Sequence, residues 1–106
     1  MNVGNKWVDE LPDVEKNVKS LSQLMISIGT MIAKQIDQYA KTNVSTYETD
    51  RLTRIISTGH MHTGRMLNYF PFDTKGDTED DWCGWHNDHG SLTGLTSAMY
   101  IDAEGN

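Results

Sequence analysis

The sequence predicts an α+β fold in which helices come first and strands follow. In the first half, apolar residues advance by 4, 3, 4, 3 and 4 positions, as they do on one face of a helix. In the second half, the β-forming residues Leu92, Thr93, Leu95 and Thr96 follow Gly90, as at the beginning of a strand. A chain of 106 residues is long enough for one small domain.

The first helix is expected to begin near Pro12 and Asp13, because proline suits a first turn and an acidic side chain suits the positive end of the helix dipole. It is expected to end at residues 43–45. The apolar residues of its face are Val14, Val18, Leu21, Met25, Ile28, Ile32, Ile36 and Tyr39, and Leu24 and Met31 widen it. The same spacing fits a coiled-coil heptad. Gly29 in mid-helix and the width of the apolar stripe favour a helix packed on a sheet instead.

A second helix is expected from about residue 46 to residue 57. Ser45 and Glu48 have the spacing of a capping box, which satisfies backbone N–H groups at a helix start. Gly59 is expected to end the helix. The expected inner face consists of Tyr47, Leu52, Ile55 and Ile56.

Two strands are expected after the helices, from Arg65 to Phe72 and from Leu92 to Ile101. The acidic run at 73–81 between them is typical of a solvated loop. The chain then has room for about three strands, whose open edges would favour self-association. The expected organisation is an N-terminal arm at 1–12, a helical segment at 13–59 and a strand-bearing part at 60–106.

Composition narrows the function classes. The formal net charge is −6 and the pI is about 5.0, which argues against nucleic acid or an anionic membrane as a partner. The single Cys83 excludes an internal disulfide. The sequence shows neither a signal peptide nor a run of about 18 apolar residues. An intracellular, cytoplasmic location is therefore expected.

The most informative motif is His86-x-Asp88. On an extended segment alternate side chains share a face, so the imidazole and the carboxylate are expected to point the same way. One His and one carboxylate are two of the three ligands in the facial triad that binds non-haem Fe(II). The sequence thus predicts His86 and Asp88 as metal ligands.

The surrounding residues extend the motif to His86-Asn87-Asp88-His89-Gly90-Ser91-Leu92-Thr93. This segment resembles the metal-binding strand of the iron(II)/2-oxoglutarate-dependent dioxygenases of the isopenicillin N synthase-like type. Upstream, Asn68-Tyr69-Phe70-Pro71 resembles the Asn-Tyr-Tyr-Pro strand of that family. The resemblance implies a jelly-roll (double-stranded β-helix) fold. It also implies Fe(II) as cofactor, 2-oxoglutarate as cosubstrate, and oxidation of a small organic substrate.

The resemblance also implies that Asn68 and Phe70 bind the cosubstrate, although Phe70 stands where many members have a Tyr. The family's third ligand is a His about fifty residues beyond the Asp, and an Arg-x-Ser that grips 2-oxoglutarate follows it. This sequence ends at Asn106. The expectation is therefore an incomplete jelly roll, a fragment without activity of its own and without an assigned catalytic residue.

Two alternatives remain open. The chain could be a non-catalytic binding or regulatory fragment of that fold. It could also be an interaction module that zinc stabilises through His60, His62, His86 and His89, since structural zinc prefers His and Cys donors. Substrate choice in such enzymes lies in loops and in the C-terminal part, so the substrate does not follow from these residues.

Overall fold

The computed structural model describes residues 5–69, 85–102 and 104, and within them it contains two helices. Helix α1 runs from Val14 to Asn43, and the short helix α2 runs from Arg51 to Thr58. The two helices pack against each other as a hairpin. Within these described residues, no helix is long and apolar enough to cross a membrane.

Helix α1 begins close to the expected position. Asp13 occupies the N-cap position without a capping side-chain hydrogen bond, and the Val14 N–H donates to the Leu11 carbonyl at 3.0 Å. Glu15 in the first turn forms an ion pair with Lys19 one turn later. At the other end the Val44 N–H donates to the Ala40 carbonyl at 2.8 Å, which closes the last turn.

The buried side of α1 lies next to the expected apolar stripe rather than on it. Among the described residues only Ala33 and Asp37 are buried, with 0% and 3% of their surface exposed. They are four residues apart, so they lie on the same side of the helix. This side is narrow and lined by small residues, which lets other parts of the chain come close to the helix backbone.

One such approach is made by the C-terminal segment. A Cβ added to Gly29 would lie 3.4 Å from Leu92 Cδ2, so Leu92 sits directly over that glycine. A Cβ added to Gly94 would lie only 3.0 Å from Met25 Cε. Gly29, unfavourable in a helix by propensity, thus provides room for an apolar side chain from more than sixty residues further on.

The connection between the helices turns at Asp50. Its φ of 55° and ψ of 25° are left-handed values, which Asp adopts more readily than most residues. Helix α2 then has only eight residues, fewer than the roughly 12–15 that an isolated helix needs to be even marginally stable in water. Its stability must therefore come from contacts with α1.

The predicted jelly roll and α+β fold are wrong for the described part of the chain, which contains helices and no strands. Residues 61–69 and 92–102 have no regular structure, although they include β-forming side chains. The physical reason is that a strand exists only when a neighbouring strand accepts its hydrogen bonds, and these segments do not pair. The expected packing of α1 on a sheet is wrong for the same reason. Residues 70–84, which include the end of the first predicted strand and the acidic run, lie outside the described residues.

Helix α2 also differs from its prediction. It begins at Arg51, about five residues later than the Ser45 and Glu48 capping box implied, and it ends before Gly59 as expected. Leu52 and Ile56 are half-buried, whereas Ile55 remains 45% exposed. The later start means that the capping group of α2 has to come from elsewhere in the chain.

Candidate functional site

The group that caps the N-terminus of α2 is the carboxylate of Asp37, on the buried side of α1. Its Oδ1 accepts hydrogen bonds from the Leu52 N–H at 3.0 Å and from the Tyr47 hydroxyl at 2.6 Å. Its Oδ2 accepts from the Thr53 N–H at 2.8 Å. Leu52 and Thr53 are the second and third residues of α2, whose N–H groups have no acceptor within their own helix. Asp37, a residue of α1, therefore takes the role of the N-cap side chain of α2.

The electrostatics of Asp37 follow from these contacts. Burial raises the pKa of Asp37, whereas the adjacent Thr53 hydroxyl, the Tyr47 phenol and the two backbone N–H groups lower it. The lowering contacts win, so the pKa of Asp37 lies well below its usual range. The hydrogen bond to Asp37 in turn raises the pKa of Tyr47, with burial as the next cause. The carboxylate thus stays charged at the positive end of the α2 dipole.

An open groove lies beside this cap, between α1 and α2, with a volume of about 370 Å³. Its lining residues are Lys34, Gln38, Asp50, Thr53, Arg54 and Ser57. The guanidinium of Arg54 already forms an ion pair with Glu48 at 2.6 Å. Thr53 Oγ1 is buried beside the Asp37 carboxylate and lacks a well-formed hydrogen bond within the described residues. The groove has mixed charge, and these contacts do not favour one class of ligand.

The predicted metal-ligand pair does come together. His86 Nε2 lies 3.2 Å from Asp88 Oδ1, so the two side chains are in contact. The Thr93 hydroxyl donates to Asp88 Oδ2 at 2.6 Å. That hydrogen bond is the largest cause of the lowered pKa of Asp88. Both carboxylate oxygens thus have partners from the chain itself.

Within the part of the chain that the structure describes, this pair does not form a complete metal centre. Among the described residues, no three His, Cys, Asp or Glu side chains converge closely enough to hold an ion. The expected metal-binding dioxygenase centre is therefore wrong for this part of the chain. The individual roles of His86 and Asp88 as ligands of Fe(II), and the use of 2-oxoglutarate, are tested by none of these contacts and stay predictions.

The other predicted site residues lie apart from His86 and Asp88, or outside the residues that the structure describes. Asn68 is exposed in an irregular segment, and Phe70 lies outside the described residues, so their binding of a cosubstrate stays a prediction. The His62 ring lies near the end of α2, with Cε1 3.3 Å from where a Gly59 Cβ would stand. His60 and His89 are exposed, and no group of three ligands within the described ranges includes them.

An exposed apolar surface on α1 is a further candidate site, which the sequence analysis did not predict. Large apolar side chains line one side of α1 and remain between 40% and 73% exposed. They are Leu21, Leu24, Ile28, Met31, Ile32, Ile36 and Tyr39, called here the apolar face of α1. The sequence predicted most of this stripe as the buried side. The structure instead buries the small-residue side at Ala33 and leaves the bulky stripe open.

Comparison with models of protein families, with curated proteins and with solved structures found no match. The resemblance to the iron(II)/2-oxoglutarate-dependent dioxygenases therefore rests on the quoted residues alone. No relative supplies a function for the apolar face of α1, so its chemistry has to be argued from the described contacts.

The oxygenase prediction has a direct test. We expect the 106-residue chain not to release succinate from 2-oxoglutarate when Fe(II) and ascorbate are supplied, because no third ligand joins His86 and Asp88 in the described residues. The measurement is succinate formed per chain, with an Asp88→Ala variant as the background. Sustained release that the variant loses would show that Asp88 holds iron after all.

Proposed function

We propose that this chain is a non-catalytic binding module that presents the apolar face of α1 to another polypeptide. One observation carries the proposal. Only Ala33 and Asp37 are buried among the described residues, whereas seven large apolar side chains lie exposed along one helix. Contiguous exposed apolar surface of this kind marks interaction sites in soluble proteins.

The geometry of the face supports a protein partner rather than a small molecule. A small-molecule site is concave and encloses most of its ligand, whereas this surface is the convex side of a single helix. Residues 21–39 would extend over roughly 27 Å at the usual helical rise. A second helix could lie along this length, with side chains entering the spaces between successive turns.

The hairpin also explains how the face is presented. Asp37 and Ala33 hold α2 on one side of α1, and Leu92 lies over Gly29. These contacts use the narrow side of the helix and leave Ile28 and Ile32 more than 40% exposed. The hairpin thus acts as a support that keeps α1 helical while its bulky side stays available.

The test is site-specific photocrosslinking of the full chain. A photoreactive residue replaces Ile28 in one sample and Ser27, an exposed neighbour off the apolar face, in the other. Adducts with polypeptides in cell extract should form from position 28 and not from position 27. Excess unlabelled chain should suppress them, whereas an Ile28→Glu chain should not. Equal adducts from both positions, or equal suppression by both competitors, would contradict the proposed function.

A further inference from the structure

We infer that the polypeptide which covers the apolar face of α1 is a second copy of the same chain, with the two α1 helices antiparallel. The inference rests on the proposed function and names its partner. A two-fold symmetric dimer requires a self-complementary surface, in which residue i meets j while j meets i. The spacing along α1 has this property.

The symmetry lies in the positions of six of the seven residues of the apolar face. Met31 is outside the series, since its counterpart about Thr30 is Gly29. Leu21, Leu24, Ile28, Ile32, Ile36 and Tyr39 advance by 3, 4, 4, 4 and 3 residues, a series that is the same in both directions. Its centre is Thr30. With a two-fold axis at the level of Thr30, Ile28 lies opposite Ile32 of the second copy, and Leu24 lies opposite its Ile36. Leu21 then meets Tyr39 at each end, so every member of the series has an apolar partner.

The same series argues against a parallel coiled coil. Its mean step equals the 3.6 residues of a straight helix rather than the 3.5 of a heptad seam. A parallel pair in register would also bring Tyr39 against Tyr39 and align the two helix dipoles. An antiparallel pair opposes the dipoles and places the larger Tyr39 opposite the smaller Leu21.

The charge pattern permits close contact despite the net charge of −6 on each chain. No charged residue occurs between Lys19 and Lys34. Pairing through the centre of the face therefore avoids the free-energy cost of removing a charged group from water. Ser20, Gln23 and Ser27 in this stretch are polar but uncharged, so the rest of the helix surface here carries no ion either.

The exposed area is of the order found in small interfaces. The six paired residues, at roughly 200 Å² each and about half exposed, present roughly 600 Å² per chain. Two copies together would bury roughly 1,200 Å², the lower end of the range for specific interfaces, which suits a reversible dimer.

The first experiment is sedimentation equilibrium of the full chain. We expect a reversible dimer. Ile28→Glu should weaken it at least about 100-fold, because the two-fold axis buries the new charge twice. Ser27→Glu is the matched control, since it adds the same residue one position away, and it should leave the dimer constant within about threefold. Helical ellipticity of both variants shows whether α1 remains folded.

The second experiment tests orientation in a Cys83→Ser background. Leu24→Cys and Ile36→Cys chains are prepared separately, mixed and oxidised. An antiparallel dimer gives disulfides between the two different chains, whereas a parallel dimer gives disulfides between identical chains and overturns the inferred geometry. A chain that remains monomeric at all concentrations overturns the second copy as partner. Photocrosslinks from position 28 to a different protein would in that case still support the proposed function.

Discussion

Replacing Asp37 by Asn is expected to unwind α2 from its first turn. Three donors reach the carboxylate, two at Oδ1 and one at Oδ2, and one of these oxygens becomes an NH2 group in Asn. That group cannot accept a hydrogen bond, so at least one donor faces another donor. Amide hydrogen exchange at Leu52 and Thr53 should become about tenfold faster or more. The measurement is residue-resolved exchange by NMR.

Asp50→Asn is the matched control, because Asp50 occupies the N-cap position of α2 but makes no capping hydrogen bond with its side chain. Asn also tolerates the left-handed conformation found there. Exchange at Leu52 and Thr53 should be nearly unchanged in this variant. Equal acceleration of exchange in the two variants would show that Asp37 does not cap α2.

The same contacts set the pH range over which the hairpin is stable. The pKa of Asp37 is lower in the folded chain than in the unfolded chain, so its stabilisation is complete above the ordinary carboxyl pKa of about 4 and is lost as the pH falls further. The pKa of Tyr47 is raised, so its share is lost as the pH rises above about 10. Asp37→Asn should flatten the acid side of the stability profile, and Tyr47→Phe the alkaline side.

A second large effect is expected from Ala33→Leu. Ala33 is fully buried one turn before Asp37, so a Leu side chain there would push against whatever covers the helix. Overpacking of this kind costs about 1–3 kcal/mol, whereas Ala and Leu have similar helix propensities, so packing alone is changed. The measurement is chemical denaturation at a fixed protein concentration, since any dimer would contribute to the stability.

Ser27→Leu is the control for this substitution, because it introduces the same side chain at an exposed position of α1. Its free energy of unfolding should stay within about 0.5 kcal/mol of the original. An Ala33→Leu chain as stable as the Ser27→Leu chain would show that the hairpin is loosely packed at Ala33.

The sequence predicted α1 well because its signals are local. The apolar spacing and the Pro12-Asp13 start lie within the helix or beside it. It predicted the beginning of α2 poorly because the decisive group lies fourteen residues before the helix, on α1. A signal existed in the sequence. Asp37 is an acidic residue on the side that also carries Gly29 and Ala33, where a buried carboxylate has to meet donors from another part of the chain.

The strand predictions failed for a different reason. Residues such as Leu92 and Thr93 have side chains suited to a sheet, but β-propensity depends on neighbours that a local pattern does not contain. The prediction that the side chains of His86 and Asp88 lie together involved only neighbouring residues, and the two side chains are in contact. A metal site needs a third, distant ligand, and two neighbouring residues cannot specify where that ligand is.

The cap on α2 also suggests an order of events in folding. An eight-residue helix forms few hydrogen bonds to offset the free-energy cost of nucleation. Helix α2 is therefore weakly stable until the Asp37 carboxylate is in place to accept hydrogen bonds from its first N–H groups. That carboxylate is in place only once α1 is wound. We therefore expect α1 to act as the template on which α2 forms, with contacts within α2 formed after the folding transition state. During synthesis from the N-terminus, α1 is made first and the template precedes the helix that depends on it.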